Sequence, residues 1–150
     1  MGFMDSLSIS GSGMTAERLR MDVIADNLAN VNTTRTPNGS PYRRQQVLFS
    51  AGANSFQDTL AGFAGANGEA PATTKGVQVQ AIVPDQSPFK RVYQPGHPDA
   101  DAQGYVNMPN VDTVTEMVDM MSASRAYEAN VSAVQSIKGM AEKAIDIGRA

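Results

Sequence analysis

From Asn110 to Ala150 the sequence carries no proline, and its seam residues recur three and four apart. They are Met117, Met120, Ser124, Tyr127, Val131, Val134, then Ile137 or Lys138, Ala141, Ala144 or Ile145, and Gly148. That spacing is one face of a long α-helix with coiled-coil character. Asn110, after Pro109, is the predicted N-cap. Asp112, Glu116 and Asp119 fall in the early turns and Lys143 and Arg149 near the end, as the helix dipole favours. About 38 residues at about 1.5 Å each give a rod of about 57 Å. A compact domain of this chain's size has a radius of gyration of only about 15 Å, so such a helix extends beyond one.

A second seam lies at the other end. Leu7, Met14, Met21 and Leu28 repeat every seven residues, and Ile24 and Val31 each stand three beyond a member of that row. The "SGSG" at 10–13 interrupts it, because each glycine costs about 1 kcal/mol relative to alanine inside a helix. A bend or late ordering is predicted there. The seam ends in "NLANVN", where Asn27 and Asn30 share one side of the helix. Their expected role is to hydrogen-bond across the seam to Arg125, Glu128 or Asn130, fixing a register that purely apolar contacts would let slide. Asn32 is expected to end the helix.

Between the terminal helical regions, 1–32 and 110–150, the middle region 33–109 is rich in glycine, alanine, asparagine and proline. It holds strand candidates at 42–49 ("YRRQQVLF"), 76–83 ("GVQVQAIV"), 89–93 ("FKRVY") and 105–108 ("YVNM"). The Gly/Ala-rich loop 51–75 offers only Phe56, Leu60 and Phe63 as anchors for a short helix and is expected to be mobile in isolation. The fold class is therefore mainly α: an elongated, coiled-coil-like pair of long N- and C-terminal helices with a small, strand-containing, partly flexible middle.

Composition removes most chemistry. A net charge of −3 over 150 residues provides no positive field for nucleic acid. The chain has no cysteine and a single histidine, so thiolate and multi-histidine metal sites within one chain are excluded. No run of residues has the length of a membrane span, and the first residues lack the regions of a secretory signal. No phosphate loop, nucleophile elbow or zinc-protease motif occurs. "HPDADAQGY" brings His97 beside Asp99 and Asp101, but read as a calcium loop it puts Asn110 where a bidentate glutamate is needed. It reads as a turn, with the aspartates accepting local amide hydrogen bonds. "YRRQQ" and "KRVY" read as strand edges guarded by charge. No enzyme activity, cofactor, metal or small-molecule substrate is expected.

The helical ends then need neighbours. Val114, Val118 and Met121 form a stripe beside Met117, in addition to the seam facing the other helix, and are expected to face another subunit. Nine methionines supply side chains able to repack against unequal neighbours. An assembling structural subunit fits this pattern; the alternative is a soluble helical adaptor or export-chaperone-like module that shelters another chain's amphipathic helix.

"DNLANVNT", "YRRQQVLF", "PGHPDADAQGYV" and "PNVDTVTEMVDMMSASRAYEANV" together resemble the flagellar basal-body rod proteins over nearly the whole chain. "PGHPDADAQGY" and the lengthened "TTRTPNGSPYRR" narrow the resemblance to the proximal rod component. The resemblance implies a self-assembling axial protein of the bacterial flagellum, required for motility, exported unfolded by the flagellar type III export apparatus and built into the rod spanning the periplasm. The partners it implies are FlgB, FlgF, FlgG, FliE, the MS ring and copies of the chain itself.

Overall fold

The computed structural model describes residues 3–52 and 76–148. The anchors Phe56, Leu60 and Phe63 lie outside the described residues. The element order is α1 (Phe3–Ala29), β1 (Gln45–Ala51), β2 (Val77–Pro84), β3 (Lys90–Tyr93), β4 (Tyr105–Met108) and α2 (Thr113–Gly148). Two long helices thus enclose a small stranded middle in the sequence, and the architecture is mainly α.

Contacts divide the chain into two units. The first comprises Met1–Glu17, Phe49–Gln80 and Arg125–Ala150; the second comprises Arg18–Leu48 and Ala81–Ser124. In the first unit α1 continues through Ser10–Gly13 without a break in the helix. Tertiary contacts offset the glycine cost. A Cβ on Gly13 would stand 3.0 Å from Nδ2 of Asn130, so the bare backbone lets α2 come close. Ser12 Oγ donates to the Ile9 carbonyl (2.7 Å) and accepts from the Val77 amide (3.1 Å), which ties the helix to the start of β2.

The second unit holds most of the buried side chains among the described residues. Val23 and Ile24 of α1, Val106 of β4, Val111 just before α2, and Ala123 of α2 are all at most 5% exposed. Here α1 ends at Ala29, before the expected Asn32. Asn30 stands at the terminus: its backbone amide makes the last i→i−4 bond of the helix, to the Asp26 carbonyl (3.1 Å), and its Nδ2 donates to the same oxygen (3.0 Å). Thr33 Oγ1 then donates to Asn30 Oδ1 as the chain turns away.

All four strand candidates are strands, with boundaries moved by up to three residues. β1 pairs with β2, and β3 pairs with β4 antiparallel, Arg91 opposite Asn107 and Tyr93 opposite Tyr105. The β3–β4 connection is the predicted turn. Asp101 Oδ1 accepts from the amides of Gln103 and Tyr105, each at 2.9 Å. The Tyr105 amide, with Gln103 and Arg91 adding to it, holds the Asp101 carboxyl below its usual range. Gly104 follows with φ of 81°, a left-handed conformation that suits glycine. Asp99 departs from expectation: its carboxylate accepts from Thr34 Oγ1 at 2.8 Å, 65 residues away in sequence.

The cap of α2 is also a correction. Asp112, not Asn110, accepts from the amides of Val114 (2.9 Å) and Thr115 (3.4 Å) through Oδ1. Asn110 is occupied elsewhere. Its Oδ1 accepts from the Arg44 amide at 2.8 Å and its Nδ2 donates to the Asp85 carbonyl at 3.2 Å, joining the start of β1 to the end of β2.

Candidate functional site

Glu116 points into the second unit with no exposed surface. A buried carboxylate is tolerated only when paired and hydrogen-bonded, and the chain supplies both. Asn27 Nδ2 donates to Glu116 Oε2 at 3.0 Å. Arg44 Nε donates to Oε1, while Arg44 Nη2 reaches Asp119 Oδ2 at 3.1 Å and Nη1 lies 3.9 Å from Asp85 Oδ2. Arg20 approaches Asp119 from α1 at 3.8 Å. Two arginines thus meet three carboxylates around the first turns of α2.

Asn27 completes the junction. Its Nδ2 also donates to the Gln45 carbonyl (2.9 Å) and its Oδ1 accepts from the Gln45 amide (2.9 Å), so the amide pairs with one backbone residue as a neighbouring strand would. Tyr42 Oη donates to the same Oδ1 at 3.0 Å. Both amide protons and both oxygen lone pairs are used. Burial, with the charges of Asp26 and Glu116 adding to it, raises the Tyr42 pKa, which keeps the phenol a donor. Arg43 lies over the Phe89 ring (4.4 Å to its centroid) and donates to the carbonyls of Asp85 and Ser87. The two arginines expected to guard a strand edge instead fasten β1 to α2 and to the β2–β3 link.

The polar residues singled out in the sequence therefore divide. Asn27 is buried and bridges elements, but to Glu116, Gln45 and Tyr42 rather than to Arg125, Glu128 or Asn130. Those three lie about two and a half to four turns beyond Glu116 along α2, where Asn130 meets Gly13. Asn30 bonds only locally. Replacing Asn27 with leucine strands Glu116 and the Gln45 backbone and is expected to cost about 3 kcal/mol, whereas Asn30→Leu stays within about 1 kcal/mol. Denaturant unfolding of the two variants checks this; equal effects would contradict the division of roles.

Of the seam residues, Ile24 is buried. Met14, Met21, Leu28, Tyr127, Val131 and Val134 are partly buried, and so is Val31, which lies beyond the end of α1. Met117 is 54% exposed, and Glu116 holds the inward position expected for it. The change is confined to the first turn of α2, where Arg44 and Asn27 solvate Glu116 inside the protein; Met120, Ser124 and Tyr127 keep the expected inward phase. With Met117 turned outward, Val114 (72% exposed), Val118 (54%) and Met121 (56%) form with it an apolar stripe over two turns. Arg125 and Glu128, both exposed, follow it.

Residues 7–35 match the family described as flagella basal body rod protein, and residues 102–147 match the family described as flagellar basal body rod FlgEFG protein C-terminal. The two matched stretches contain Asn27 and Glu116, from α1 and α2. Over 98% of both chains, 45% of residues are identical to the flagellar basal-body rod protein FlgC of Borreliella burgdorferi. The chain belongs to the FlgC family of flagellar basal-body rod proteins. The FlgC protein of Bacillus subtilis is 47% identical over 96% of this chain and 97% of its own, and that of Salmonella typhimurium 42% over 99% and 100%. A FlgC-family chain is a structural subunit of the basal-body rod and not an enzyme. The buried charges around Glu116 accordingly serve architecture, joining both helices to the middle region.

Proposed function

We propose that this subunit builds the proximal rod through its terminal helical regions, 1–32 and 110–150, which act as a coiled-coil-like rod-core domain, with 33–109 as a middle region between them. The observation that carries the reading is the outward stripe of Val114, Met117, Val118 and Met121. Four apolar side chains in two turns of one helix, each more than half exposed, are covered when a neighbouring subunit packs on them. Met117 and Met121 adapt to neighbours that are not equivalent around a tube. Neighbours of the same kind, copies of the chain and the rod proteins FlgB, FlgF and FlgG, fit this surface, with FliE and the MS ring at the base and the type III export apparatus as the delivery route. The helices order fully on incorporation, since only there is their whole apolar surface covered.

Charge placed in the stripe tests the reading. Basal bodies purified from cells carrying Val118→Glu with Met121→Glu are expected to lack the subunit, while the isolated protein keeps its helix content. Normal incorporation of the variant would contradict the proposal.

A further inference from the structure

Apart from the apolar stripe, the second unit has a polar cleft of about 350 Å³, lined among others by Thr34, Arg35, Asp99 and Asn107. This volume lies near the lower end of small-ligand sites, about 300–1,000 Å³. Pro41 and Pro98 belong to its walls and limit their backbone freedom. Asp99 sits between Thr34 Oγ1 at 2.8 Å and Arg35 Nη1 at 3.7 Å, with the Arg35 side chain 74% exposed. The Asn107 side-chain amide has no hydrogen-bond partner among the described residues and is exposed.

Asn107 also belongs to a second surface. In the β3–β4 pair it stands opposite Arg91 and two residues from Tyr105, itself opposite Tyr93. Alternation along the strands puts these four on one face, with Val92 and the buried Val106 on the other. Tyr93 is 63% exposed and Tyr105 40%. Their rings meet edge to face at 5.3 Å, and Arg91 lies 5.1 Å from the Tyr105 centroid. An exposed aromatic platform therefore continues into a cleft of amide, carboxylate and guanidinium groups.

We infer that this cleft and platform bind a neutral saccharide chain. Sugar hydroxyls are both donors and acceptors and match Asp99, Asn107 and Arg35 together, while the C–H face of a sugar ring suits the negative face of Tyr93. Asp99 is paired with Arg35 and Asp101 with Arg91 (3.1 Å), so the surface offers no net charge to hold an anion. An apolar ligand would leave the lining unpaired. A protein partner is a poorer fit, because interface centres are depleted of charged residues and this surface has charge at its middle.

The test is a two-dimensional 15N NMR titration of the full chain with chitotetraose at millimolar concentration. The expected result is saturable shifts confined to amides around Arg35, Asp99, Tyr105 and Asn107, with at least about tenfold weaker binding in Asn107→Ala and in Tyr93→Ala. Both substitutions lie on the exposed face and leave the Val106 side intact, and far-ultraviolet circular dichroism checks that each variant is folded. No saturable shift overturns the inference, as do shifts that both variants retain or shifts that sodium phosphate reproduces. Shifts produced by a soluble rod protein and not by the saccharide would assign the surface to a protein partner and overturn it as well.

Discussion

Arg44→Ala lowers the unfolding free energy by about 3–5 kcal/mol, because it removes the cation beside a carboxylate that has no contact with water. The magnitude follows from burial. Glu116 is 0% exposed, and after the substitution only the Asn27 amide would solvate it. Asp119 suffers less, since Arg20 remains 3.8 Å away and the carboxylate is about one-third exposed. Stabilities of whole domains are about 5–15 kcal/mol, so the second unit loses a large part of its margin. With a urea dependence of about 1–3 kcal/mol per molar, the midpoint falls by more than about 1 M. The companion variant Arg44→Met with Glu116→Leu removes both charges and keeps their volume, and it recovers most of the loss. A loss below about 1 kcal/mol in Arg44→Ala, or a double variant as unstable as the single one, would show that the ion pair does not hold β1 to α2.

Val118→Glu with Met121→Glu has the opposite character, a small effect on the chain and a large one on the rod. Both side chains are more than half exposed in the subunit, so the fold loses little, within about 1 kcal/mol. In an interface the same positions would lose about 2 kcal/mol of apolar burial between them, and each carboxylate would be desolvated without a partner at a further cost of about 1–3 kcal/mol. Together these lower incorporation by at least about a thousandfold, at 1.4 kcal/mol for each factor of about ten. The cells should be non-motile and lack rods. Val118→Leu with Met121→Leu, which keeps the stripe apolar, should swim. Motile cells with the glutamate pair would remove the stripe from the account.

Both long helices and all four strands were legible in the sequence because their signals are periodic and local. The three–four spacing of α2, the heptads of α1 and the strict alternation of "GVQVQAIV" need no distant partner to be read. The junction was not legible for the converse reason. Glu116 meets Asn27 across 89 residues and Arg44 across 72, and no local pattern reports such pairs. One signal was available: Glu116 is in phase with the inward positions Met120, Ala123 and Tyr127, and a charge on an inward face implies a buried partner. The cap of α2 was misplaced at Asn110 because an asparagine after proline has the same local preference whether it caps a helix or ties two strands together. The helix through "SGSG" persists because Gly13 gains from the close approach of Asn130, a benefit that propensity does not include.

The central claim is that the stripe is open in the subunit and closed in the rod. The chain has no cysteine, so Val118→Cys or Met121→Cys introduces a single thiol without background. Labelling that thiol with a maleimide, in the purified subunit and in purified basal bodies, gives the most direct reading. The account predicts rapid labelling in the subunit and strong protection in basal bodies, with a cysteine at the exposed Gln94 as the control for each preparation. Equal labelling at position 118 or 121 in both preparations would contradict it.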